Sequence, residues 1–148
     1  MPILKTLKQH KLLLDTHVWI WLMSGNKKLK ADFLKAIEKR TEEESANILV
    51  SAISIWEVGM LVEKKRIELN MNTLQWVEEA LNSPNISLVP LSPSIAIRSS
   101  QLLGEIHGDP ADRILTATAY EHHAVLVTHD EKLLEYGKNR QISAYNPC

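Results

Sequence analysis

Short unbroken apolar runs alternate along this chain with stretches of helical periodicity. Leu12-Leu13-Leu14 is the first run, and it stops at Asp15. Ile48-Leu49-Val50 is the second, followed by Ser51. Ile86 to Leu91 is the third, with Pro90 marking its end or an edge position. Ala124-Val125-Leu126-Val127 is the fourth, and Gln141 to Tyr145 is a candidate fifth. Runs without polar alternation suit strands buried on both faces, as in a parallel sheet. Between them, Leu29, Phe33, Leu34 and Ile37 share one helical face, as do Leu74, Val77 and Leu81 behind a cap at Asn72 or Thr73. Ser92-Pro93 and Asp109-Pro110 each read as a cap followed by proline in the first turn. The first of these opens a pattern through Ile95, Leu102 and Leu103; the second continues to Ala119. Glu131 to Tyr136 reads as a short helix closed by Gly137. Strands alternating with helices predict an α/β fold with a mainly parallel sheet.

Length and composition narrow the picture without changing it. With 148 residues, and roughly 150 per domain, residues 1–148 are expected to form one domain. Seventeen basic and 18 acidic residues leave a net charge of −1, and 45% of residues are hydrophobic. That excludes a disordered or collagen-like chain. The single cysteine, Cys148, excludes an internal disulfide and a cysteine-built zinc site. The longest apolar run, Val18 to Met23, is far shorter than the ~20 residues that span a bilayer. Met1 to Lys11 has no apolar core of a signal peptide. A soluble, cytoplasmic protein is expected. Near-zero charge argues against a strongly basic grip on nucleic acid, leaving Lys27-Lys28-x-Lys30 and Lys64-Lys65-Arg66 as local patches or solvated faces.

The carboxylates are the informative residues. Ligands of open parallel sheets bind beyond the carboxyl ends of the strands. Asp15 and Asp130 stand at two such ends, and each also reads as the cap of the helix that follows. Glu57 closes Ser54-x-x-Glu57, a capping box, or else points into a cleft from a rather apolar helix carrying Ile53, Trp56, Met60 and Leu61. Asp109 reads as a cap and Asp112 as a first-turn acid facing the positive end of its helix. Taken together, Asp15, Glu57, Asp112 and Asp130 lie near the starts of helices that begin on one edge of the sheet. Carboxylates held close raise one another's pKa, and the cluster calls for a hard cation, Mg²⁺ or Mn²⁺. His122-His123 point to different helix faces and do not form a zinc pair.

Four ordered segments carry a family resemblance: Leu12 to Trp19, Val50 to Val58, Gly108 to Ala119 and Leu126 to Leu133. Together they resemble a PIN domain of the VapC-like type, the ribonuclease toxins of toxin–antitoxin pairs, over roughly Leu12 to Tyr145. The resemblance implies a three-layer α/β/α sandwich with a parallel sheet, often dimeric. It implies Mg²⁺- or Mn²⁺-dependent cleavage of RNA and a small antitoxin partner. Asp15, Glu57 and Asp112 match the family's core metal-binding acids, and Asp130 its fourth. Thr128 matches a hydroxyl residue near the metal, Asp109 is more simply a cap, and Arg113 beside Asp112 is a candidate accessory residue. With metal assistance no covalent protein nucleophile is needed. The alternatives are a catalytically silent binding module of the same fold and an aspartyl phosphohydrolase. The latter usually wants a second acid two residues after the first, where this chain has His17. The tryptophans 19, 21, 56 and 76 are candidates for base stacking, with core packing or a dimer interface as the plainer role.

Overall fold

The computed structural model describes residues 10–42, 48–102, 109–138 and 142–148. The elements run β1 (Leu12–Leu14), α1 (Thr16–Ser24), α2 (Ala31–Glu42), β2 (Ile48–Ser51), α3 (Ala52–Glu63), α4 (Thr73–Leu81), β3 (Ile86–Val89), α5 (Pro93–Ser100), α6 (Pro110–His122), β4 (Val125–Val127), α7 (Glu131–Lys138) and β5 (Ser143–Tyr145). The strands form one parallel sheet in the order β3-β2-β1-β4-β5. Leu12 is in register with Ile48 on one side and Val125 on the other.

The three central strands are buried because their side chains alternate between two cores. Leu12, Leu14, Ile48, Val50, Val125 and Val127 face one, with Val18, Trp19, Phe33, Val58 and Val77 from α1 to α4. Leu13, Leu49 and Leu126 face the other, with Ile95, Leu115 and Leu133 from α5 to α7. This is the expected three-layer sandwich. Leu13 is wholly enclosed, and burial of such a side chain contributes roughly 1.5–3 kcal/mol.

Four local expectations are corrected. The third strand ends at Val89, before Pro90 and at the sheet edge as that proline indicated, but it stops short of Leu91 and, with Leu88 46% exposed, is not buried on both faces. The helix opened by Ser92 ends at Ser100, before Leu102, and Leu103 lies outside the described residues. The cap of α3 is Ser51, whose side chain accepts from the Ile53 N–H, so Ser54 to Glu57 is not a capping box. Gly137 lies inside α7 instead of closing it. A Cβ there would stand 2.8 Å from the Ala144 Cβ, so the glycine lets α7 approach β5. Asn72, Ser92 and Asp109 cap their helices as expected. Among the described residues no helix is long and apolar enough to cross a membrane.

Candidate active site

The chain leaves β1 toward β2 and leaves β4 toward β5, in opposite directions across the sheet. This switch point opens a crevice at the carboxyl ends of β1 and β4, where such folds bind ligands. Asp15 and Thr128 are the residues that follow those strands. The Asp15 N–H extends the pairing by donating to the Val127 carbonyl, at 2.9 Å. The Thr128 Oγ1 hydroxyl donates to Asp15 Oδ2 at 2.7 Å, and Thr128 Oγ1 in turn accepts from the Asp130 N–H at 3.0 Å. Thr128 is fully buried and ties the two acidic loops together.

A cleft of about 330 Å³ lies here, lined by Asp15, His17, Trp21, Glu57, Asp109, Asp112, His129 and Asp130. All four predicted acids therefore reach one cleft from four places in the chain. Asp15 follows β1, and its Oδ1 accepts from the Thr16 N–H at 2.7 Å. Glu57 comes from the second turn of α3 and is bonded at 2.5 Å to Thr16 Oγ1, which is also 2.9 Å from Ser54 Oγ. Thr16 and Ser54 are both buried, so this pair fixes α1 against α3 and aims Glu57. Asp112 comes from the first turn of α6. Asp130 precedes α7, and its Oδ1 accepts from the Lys132 and Leu133 N–H groups. Asp109 caps α6 through the Ala111 and Asp112 N–H groups, as expected, and also borders the cleft.

The capping and site readings are thus compatible at Asp15, Asp109 and Asp130. One carboxylate oxygen of each binds the helix start. The positive ends of α1, α6 and α7 face the cleft and offset part of the acids' repulsion.

Electrostatics show how closely the acids are held. Burial raises the Asp112 carboxyl to about 7, with the charges of Asp15, Asp109, Asp130 and Glu57 adding to the effect. Burial also raises Asp15, against the lowering bonds from Thr128 and Thr16. Glu57 is raised by burial, opposed by the Thr16 bond, and raised further by Asp15 and Asp109. Among the described residues no three His, Cys, Asp or Glu side chains form a ready-made ligand shell. The donor chemistry fits a hard divalent cation all the same. The donors are all oxygen, they are partly withdrawn from water, and the charged neighbours of Glu57 and Asp112 are other acids.

One predicted residue is misplaced. Arg113 does not line the cleft: its Nε donates to the Ser99 carbonyl at 2.9 Å, tying α6 to the end of α5. The side chain one position after Asp112 leaves the helix on another face. Lys64 and Arg66 border a neighbouring apolar groove of about 550 Å³ that shares Glu57 and Asp109 with the cleft. The sequence reading missed His17 and His129 as lining residues, and named Trp21 only as one of four tryptophans that could stack bases, without placing it beside the acids. The spacing of His17 and Trp21 was the available signal, since residues four apart share a helix face.

Residues 12–139 match the PIN domain family. Ribonuclease VapC22 of Mycobacterium tuberculosis (strain ATCC 25618 / H37Rv) is 34% identical over 133 residues, which cover 90% of this chain and 97% of that one. A toxin–antitoxin complex from Klebsiella pneumoniae contains a chain with TM-score 0.62 and 25% identity, covering 93% of this chain and 98% of that one. DNA-bound VapBC from Salmonella typhimurium superposes with TM-score 0.66 at 19% identity, over 95% of this chain and all of that one. With its parallel sheet, its acids gathered at the switch point and this match over nearly its whole length, the chain belongs to the PIN domain family.

Proposed function

We propose that this chain is a metal-dependent endoribonuclease, the toxin of a toxin–antitoxin pair, and that it hydrolyses RNA phosphodiester bonds at the Asp15–Glu57–Asp112–Asp130 cleft. The observation that carries the reading is the meeting of these four acids at the end of β1 and β4. The name of the Mycobacterium relative, a ribonuclease, supports the activity. The complexes of similar chains support an antitoxin partner.

Asp15, Asp112 and Glu57 would hold a Mg²⁺ or Mn²⁺ ion, with Asp130 completing the set. That ion supplies an activated water and charge stabilisation for the phosphoryl group. The residues of the chain arrange the rest. Thr128 holds Asp15 by one oxygen and leaves the other on the helix-start side. Thr16 restrains Glu57. The raised pKa of Asp112 makes it the acid best suited to carry a proton near neutral pH when the cleft is empty. A cytoplasmic location, a single domain spanning 1–148 and a homodimer complete the proposal.

The test is incubation of total RNA with Mn²⁺, Mg²⁺ or EDTA, wild type beside Asp15→Asn. Fragments made by wild type alone, and only with the divalent ion, are expected. Fragments from Asp15→Asn equal to wild type would overturn the site. Divalent-dependent phosphatase activity without RNA cleavage would overturn the reaction.

A further inference from the structure

One wall of the acid cleft is aromatic. His17 and Trp21 of α1 and His129 after β4 line it. The His17 and Trp21 ring centroids are 5.9 Å apart with planes at 52°, and Trp21 and His129 are 5.9 Å apart at 63°. His129 is itself positioned, its Nδ1 lying 3.3 Å from Asn146 Oδ1. Lys28 Nζ stands 4.8 Å from the Trp21 ring centroid, reaching over it from the turn after α1. Trp19, two residues away, is wholly buried and packs edge-on against Trp76 at 5.2 Å. Trp19 fills the core, whereas Trp21 packs against the edge of that core and stays only partly buried where it borders the cleft.

Carboxylates cannot themselves hold a polyanion, so a phosphate-bearing substrate at this cleft needs its grip from other groups. A partly exposed indole is such a group. Bases stack on it whatever their identity, because every base has a π-face. Lys28 is exposed on a flexible stem and is free to leave the ring for a backbone phosphate when a base takes its place.

We propose that Trp21 is a stacking platform for an unpaired base of single-stranded RNA next to the phosphate at the acids, with His17 and His129 edging that base and Lys28 meeting the backbone. This rests on the ribonuclease reading and adds to it the residue that holds the base. A base paired within a duplex has both faces covered by its neighbours and cannot use the platform.

The experiment measures fluorescence anisotropy of labelled 12-nucleotide RNA in Mg²⁺, with Asp15→Asn as the parent so that nothing is cut. The probes are a single-stranded oligomer, the same strand in a duplex, and an oligomer with abasic sites at its centre. Trp21→Leu stays apolar and removes the π-face; Trp21→Phe stays apolar and keeps a smaller one. Trp21→Leu is expected to weaken single-strand binding by ~10-fold or more, the scale of base–aromatic stacking, and Trp21→Phe by no more than ~3-fold. Neither is expected to change binding of the abasic probe. Lys28→Gln is expected to weaken single-stranded and abasic probes alike and to lower the salt slope by about one ion. Unchanged single-strand affinity in Trp21→Leu, or equal losses on all three probes, would overturn the proposal. Wild type is run on the same oligomer in parallel. Failure to cut it in any divalent ion condemns the ribonuclease reading, while base-dependent binding decides the platform separately.

Discussion

Replacing Asp112 with Asn should make the metal-free protein more stable at alkaline pH. The side chain keeps its shape and loses the charge that the cleft resists. Burial and four neighbouring acids lift this carboxyl from 3.8 to about 7. In that window the folded protein binds a proton that the unfolded chain has released, so stability falls as pH rises. The penalty is absent below pH 3.8 and complete above about 7. At full burial each pH unit across the window would be worth ~1.4 kcal/mol, or ~4 kcal/mol in all. Asp112 is only partly buried, and solvent screening cuts this to roughly 1–2 kcal/mol. For a chain of this size that is a Tm gain of ~2–8 °C. The assay is thermal unfolding in EDTA from pH 4 to pH 9. Asp112→Asn should melt with wild type near pH 4 and above it at pH 8. Adding Mg²⁺ or Mn²⁺ should close or invert the gap, because the ion stabilises only the chain that binds it. A gain independent of pH, or a loss at pH 8, would refute the electrostatic reasoning.

The other expectations concern residues that support the cleft. Thr16→Val removes the hydroxyl that holds Glu57, and RNA cleavage should fall ~10–100-fold with the circular dichroism spectrum unchanged. Asp109→Ala removes a helix cap and should cost ~0.5–2 kcal/mol in urea unfolding, whereas Asp109→Asn should cost little. Gly137→Ala drives a methyl against Ala144 and should destabilise by ~1–3 kcal/mol; adding Ala144→Gly should recover part of that.

Much of this was legible in the sequence for identifiable reasons. The central strands are short apolar runs ended by polar residues, and burial on both faces leaves them no alternation to obscure the signal. Asn72, Ser92 and Asp109 are local chemistry, so their caps could be placed without tertiary knowledge. Asp15, Asp112 and Asp130 were found because each follows a strand or opens a helix, and Glu57 because its helix begins directly after a strand. What failed depended on distant packing. Ser51 and Ser54 both offer a hydroxyl near the start of α3. Only the approach of α1, which gives Ser54 to Thr16, leaves Ser51 as the cap. Gly137 looks like a stop signal until β5 comes alongside. Arg113 is adjacent to an acid in sequence, and the helix turns it toward Ser99. The aromatic wall joins α1 to the loop after β4, 108 residues further on, and no local pattern couples His17 and Trp21 to His129.

Three of the cleft's aspartates are also the residues on which helices begin. Asparagine caps a helix about as well as aspartate does. A single codon change to Asn at Asp130 therefore keeps the cap while stripping its charge, whereas at Asp15 it also replaces the oxygen that accepts from Thr128. If the cleft acids carry cleavage as proposed, lineages of this fold would lose it in one step and keep a stable protein, free to be retained for whatever it still binds. Inactive copies should accordingly be recognisable by neutral capping residues at these positions, with the surrounding apolar strands unaltered.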